Sequence, residues 1–182
     1  MVLKAKIKKT LLISSLSIVL ISSSIIVYAL ETMNIEHLIS YSDNNGNGST
    51  DANLFNDASK FYLEHFRTTE NDIQQLQQNS GIEFILNGSN DYKYQTAEIF
   101  LENGLDINGV NHFSNRNINA LHSAVLLKNK DNVLFLLKHG IDINAKTKNG
   151  FTALDWARKI YDKTPTKELN AIIQILEIES NT

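Results

Sequence analysis

Apolar positions recur at spacings of three and four through most of this chain, which is the period of a helix buried on one face. An apolar run from Leu11 to Leu30 comes first, and Ile35, Leu38 and Ile39 then mark a short amphipathic piece between Glu31 and about Tyr41. Phe55, Ala58, Phe61, Tyr62 and Phe66 share one helical face, and Ile73 and Leu76 fall on another. Ile82, Phe84, Ile85 and Leu86 form a short apolar piece closed by Asn87-Gly88-Ser89-Asn90. Tyr94, Ala97, Ile99, Phe100 and Leu101 make the face of the next helix. No stretch alternates apolar and polar residues long enough to commit to a sheet. The pattern predicts an all-α fold.

One segment breaks the pattern. Residues 42–51 (Ser42-Asp43-Asn44-Asn45-Gly46-Asn47-Gly48-Ser49-Thr50-Asp51) contain nothing to bury and several turn formers, so residues 30–52 read as a short helix and a flexible linker. Asp43, Asn45, Asn47, Gly48 and Asp51 match five positions of a calcium-binding loop. The closing position, however, is Leu54 where a bidentate glutamate is needed, and a linker is the better reading.

Self-similarity carries the most information. Phe100-Leu101-Glu102-Asn103-Gly104-Leu105-Asp106-Ile107-Asn108 returns 36 residues later as Leu136-Leu137-Lys138-His139-Gly140-Ile141-Asp142-Ile143-Asn144. Asn119-Ala120-Leu121-His122-Ser123-Ala124 returns 33 residues later as Thr152-Ala153-Leu154-Asp155-Trp156-Ala157. These pieces resemble the ankyrin repeat, a unit of about 33 residues built from a turn and two helices. The units are clearest at 92–112, 115–146 and 147–178, inside a domain expected over 53–182. The resemblance implies a solenoid of about three to four helix-turn-helix units. The first unit carries three extra residues in Gly109–Asn117, and the last about six near Tyr161–Lys167.

The residue choices have reasons of their own. Leu121, Ala124, Val125, Val133, Leu136 and Leu137 give two helices apolar faces, and Gly140 suits a left-handed helix end. Asp142 and Asn144 can bond nearby backbone amides in the following turn. A single such unit cannot bury its own face, so neighbours must stack. Alanine replaces the family's proline at Ala120 and Ala153, and Asp155 stands where the family has histidine.

Composition then sharpens the picture. Of 17 basic residues, Lys4, Lys6, Lys8 and Lys9 precede the apolar run, leaving 13 against 20 acidic residues in 30–182, a net of −7. That balance speaks against a nucleic-acid partner and is compatible with a cationic protein. The lysines, the apolar run and the Val27-Tyr28-Ala29 exit have the layout of a bacterial export signal over residues 1–29, with cleavage after Ala29. The expectation is a periplasmic or secreted protein with no membrane span after cleavage. The alternative is an inner-membrane anchor formed by Leu11–Leu30, since about 20 apolar residues span a bilayer. The chain has no cysteine, so disulfides and thiolate zinc sites are excluded.

No catalytic, cofactor-binding or metal-binding residues are expected, and the protein is read as not an enzyme. His37, His65, His112, His122 and His139 lack metal-ligand spacing, no nucleophile elbow or phosphate loop occurs, and Glu64-His65 reads as a solvated face. His122 matches the family's histidine that bonds backbone in the turn, and Trp156 reads as packing between the last repeats. The family usually binds other proteins along its turn tips and first helices. The positions this resemblance assigns are Asn115, Arg116, Ile118, Leu126 and Leu127 in the middle unit, and Lys146, Lys148, Asn149, Phe151 and Lys159 in the last. The inserted tip adds Asn111, His112 and Phe113.

Together with an export signal, the resemblance implies a protein that binds and inhibits or sequesters a partner, foremost an immunity protein against an antibacterial secreted effector. Support of a periplasmic oxidative-stress enzyme and an exported, host-directed effector are the alternatives.

Overall fold

The computed structural model describes residues 2–43 and 50–181, with side chains from Ser14 to Asp43 and from Asn53 onward. Ten helices and no strands lie among the described residues: the all-α expectation holds. Three successive helix pairs form a stack: α5 (Ile82–Leu86) with α6 (Tyr92–Glu102), α7 (Ala120–Leu126) with α8 (Lys130–Lys138), and α9 (Ala153–Tyr161) with α10 (Lys167–Glu179). First helix packs on first helix, with α7 between α5 and α9, while α10 packs on α8. Between α6 and α8, the Tyr94 hydroxyl donates to Asn132 Oδ1 at 2.9 Å and its ring lies 5.3 Å from that of Phe135.

Before the pairs come α1 (Val2–Thr32), α2 (Ile35–Ser42), α3 (Thr50–Phe66) and α4 (Glu70–Gln77). The α2 helix packs on α3 and on α4, and α4 reaches α5. Leu30, Ile35, Leu38 and Leu63 are buried in the same core as Leu76, Ile85, Phe100, Leu121, Leu136, Leu169 and Leu176. The short helix after Glu31 is therefore part of the packed body. Most of the calcium-loop positions considered above lie outside the described residues. Asp43 is among the described ones, and its carboxylate accepts from the amide and hydroxyl of Ser89.

Local chemistry explains the repeat. Gly104 and Gly140 hold φ of +96° and +78°, the left-handed region that glycine enters without a side-chain penalty. The next amide folds back over the helix end each time, Leu105 onto the Phe100 carbonyl at 3.0 Å and Ile141 onto the Leu136 carbonyl at 3.1 Å. Leu105 and Ile141 are both buried as a result. Asp106 and Asp142 then accept from the amides of Asn108 and Asn144, each at 2.8 Å.

Side-chain caps take over where the family's proline is missing. Asn119 accepts from the His122 amide at the start of α7, and Thr152 forms a reciprocal capping box with Asp155 at the start of α9. Asp155 thus caps a helix from the place where the family has histidine. Thr69 and Asp72 form the same box at α4.

One clamp fastens the N-terminal segment. The buried Arg67 guanidinium donates to the carbonyls of Leu30 (2.6 Å), Glu31 (3.2 Å) and Met33 (2.9 Å), and pairs with Asp72 at 2.8 Å. From Ser14 to Thr32 the α1 helix is long and apolar enough to cross a membrane and almost wholly exposed. That is compatible with either a signal peptide or an anchor.

Candidate functional site

The His122 imidazole ties two repeats together. Its ring nitrogens face Asn119 Oδ1 at 2.6 Å and the Phe151 carbonyl at 3.2 Å, and its edge meets Trp156 at 5.4 Å between centroids. Burial pushes its pKa below the ordinary histidine value, against the opposing pull of the Phe151 carbonyl. This is the backbone-bonding role expected of it, and the contact fixes Phe151 and Trp156 beside each other.

Those two aromatics form the floor of an open groove of about 520 Å³ between the turn tips and the first helices. Leu126 and Ile160 supply further apolar wall, and Arg116, Asn149, Lys159, Lys163 and Thr164 complete the lining. Leu126 is 55% exposed, too much for an ordinary core leucine. The Lys159 ammonium sits 4.6 Å from the Phe151 ring centroid, a cation–π contact that holds the charge over the apolar floor. Backbone bonds fix the tips on the other side, with the Lys148 amide donating to the Arg116 carbonyl at 2.8 Å.

The groove thus gathers Arg116, Leu126, Asn149, Phe151 and Lys159 from the positions expected in the sequence. Phe113 is 74% exposed on the inserted tip and Leu127 is 57% exposed at the end of α7, but neither lines the groove. His112, Asn115, Lys146 and Lys148 are exposed nearby, and Ile118 is half-buried. Asn111 is half-buried with its side chain committed, donating to Glu83 Oε2 at 3.1 Å and accepting from the Phe113 amide at 2.9 Å. Trp156, Ile160, Lys163 and Thr164 join the lining although the sequence assigned them no contact. Lys163 and Thr164 fall in the inserted segment after Tyr161, where the repeat register is lost. Trp156 could have been found from its residue type, since a tryptophan is a frequent anchor in interfaces.

Nothing positive points to catalysis. Glu64 accepts from the Tyr92 hydroxyl (3.0 Å) and Gln95 Nε2 (2.8 Å), while His65 stacks on Phe61 and meets the Phe61 carbonyl at 2.8 Å. Among the described residues no group of three or more histidines and carboxylates is placed to hold a metal ion.

Comparison with known proteins agrees with this geometry. Residues 84–162 match the family model of ankyrin repeats in three copies. A protein of Acanthamoeba polyphaga mimivirus named as an ankyrin repeat protein is 42% identical over 72 residues, 38% of this chain and 9% of that protein. This chain thus spans a small fraction of its relative's length. Residues 84–162 are ankyrin repeats, typically a non-enzymatic scaffold for protein–protein interaction, and they carry the whole groove lining except Lys163 and Thr164.

Proposed function

We propose that this protein is exported and uses the groove over Phe151 and Trp156 to bind and sequester a partner protein. The single observation behind this reading is the groove itself. It joins exposed Leu126 and two aromatics to charged residues, an apolar centre with a polar rim as in protein interfaces. Residues Asn111, His112, Phe113, Asn115, Ile118, Leu127, Lys146 and Lys148 would frame it, the exposed ones as the rim of a larger footprint. Export follows from the lysine-led apolar segment, with cleavage after Ala29 and a periplasmic or secreted destination. In that setting the favoured specific role is immunity, neutralising an antibacterial effector delivered by neighbouring cells.

The test is complementation. A deletion strain should lose out to its siblings in mixed culture, and the wild-type chain should restore it. A Leu126→Asp, Phe151→Ser variant that accumulates and folds normally should fail to restore it. Equal restoration by that variant sinks the groove as the binding site, and no growth defect on deletion sinks the immunity role.

A further inference from the structure

The charges around the groove have the opposite sign to those of the body that carries them. Residues 30–182 hold 13 basic and 20 acidic side chains, yet the charged residues lining the groove are Arg116, Lys159 and Lys163, with no carboxylate among them. The nearby Asp155 has its carboxylate engaged by Thr152. Among the described residues, none of the three cations is within ion-pair distance of a carboxylate, in contrast to Arg67, Lys138 and Arg158. The exposed Lys159 moreover has its ammonium 4.6 Å from the Phe151 ring centroid, over the apolar floor.

From this juxtaposition we propose that the groove takes an acidic protein segment: one large apolar side chain entering between Leu126, Phe151 and Trp156, with carboxylates on either side meeting Arg116, Lys159 and Lys163. This rests on the protein-binding reading above and adds the chemistry of the partner. The apolar floor supplies burial energy that is blind to charge. The cations supply selectivity, because a basic or neutral segment leaves three positive charges facing the covered groove without partners. Three cations make no continuous track for a phosphate backbone, so nucleic acid is disfavoured. A second copy of this chain is the other occupant to separate. Its Ile178, 67% exposed between Glu177 and Glu179, carries a similar pattern, but Glu177 is already paired with Arg158.

The experiment uses the full chain purified in mild detergent and three labelled peptides with a central Phe-Leu flanked by glutamates, glutamines or lysines. In fluorescence anisotropy the glutamate peptide should bind on the order of tenfold more tightly than the glutamine peptide, as expected of a few exposed ion pairs. The lysine peptide should bind more weakly still. Raising salt from about 0.1 to 1 M, where the screening length shrinks to about 3 Å, should erase the glutamate preference. Lys159→Glu with Lys163→Glu should reverse the order of the peptides, and Phe151→Ser should weaken all three.

Equal binding of the glutamate and glutamine peptides, abolished by Phe151→Ser, overturns the acidic preference while leaving the groove as a binding site. Tighter binding of a single-stranded oligonucleotide than of the glutamate peptide also overturns it. So does self-association of the chain that disappears with Ile178→Asp and blocks peptide binding. Failure of all three peptides at millimolar concentration overturns it as well, and the complementation test then decides the sequestration reading separately.

Discussion

The Asp142 amide donates to Asn108 Oδ1 at 2.7 Å, across 34 residues of chain. Asp142 begins the turn after one repeat and Asn108 ends the equivalent turn before it, so the later turn is fastened directly to the earlier one. His122 makes the corresponding link inside the stack by reaching the Phe151 carbonyl in the next unit. The groove wall is therefore held by contacts between units, and its shape depends on the whole stack.

Stacking should make the repeats fail together. Leu121 is 1% exposed, whereas its equivalent Leu154 is only half-buried near the end of the array. Leu121→Ala should cost about 2–5 kcal/mol and Leu154→Ala less. Urea unfolding followed by circular dichroism and by Trp156 fluorescence should give coincident transitions for both variants. Separate transitions would show that the last unit unfolds alone.

Two left-handed positions should respond in opposite directions. Gly140 holds φ +78° with open space where a side chain would be, so Gly140→Ala strains only the backbone, by about 1 kcal/mol. Lys128 adopts φ +56° with a side chain attached. Lys128→Gly should relieve that strain, with a net gain of about 0.5 kcal/mol after the added freedom of the unfolded glycine. Thermal melts of the two variants read both signs.

Asp155 should confer a pH dependence. The Thr152 amide and then the Thr152 hydroxyl bond its carboxylate, holding its pKa below the ordinary 3.8. A depressed carboxyl contributes stability above the unfolded value and loses it as pH falls through the folded one. Asp155→Ala should thus cost about 0.3–1 kcal/mol at neutral pH, the range for an acid in the first helical turn. The gap to wild type should close in melts taken below pH 3.8. A gap that does not narrow as pH falls below 3.8 would contradict the capping account.

The Arg67 clamp should be the costliest single polar contact to break. Arg67→Met leaves the Asp72 carboxylate buried without its cation and frees three carbonyls, at about 3–5 kcal/mol. Adding Asp72→Asn should recover part of the loss, which a double-mutant cycle measures. Simple additivity of the two costs would mean that the pair is not coupled.

What the sequence revealed follows the range of each interaction. The glycine turns at Gly104 and Gly140 and the exposed Leu126 were legible because each depends on neighbours within one repeat, whereas His122, whose contact reaches the next unit, was legible only through the repeat it matches. Arg67 was not, because its acceptors lie more than 30 residues upstream and no local pattern marks a carbonyl as the partner of a guanidinium. The cap at Asp155 was legible as Thr-x-x-Asp, yet the family comparison drew attention to the missing histidine instead. Lys163 was hidden for a third reason: the insertion after Tyr161 removes the register that would have assigned it a face. The sign of the groove was likewise invisible to the overall charge, which averages over the whole surface.

The joint between α1 and the body has almost no slack. Only Met33 and the helix-capping Asn34 separate Thr32 from α2, and the guanidinium grips the backbone on both sides of Thr32. A cut after Ala29 removes none of the gripped carbonyls, so trimming there would release the body with its seam closed. Were α1 instead to remain in a bilayer, the body would have no tether on which to swing, and the groove would be carried at a set height and heading above the lipid.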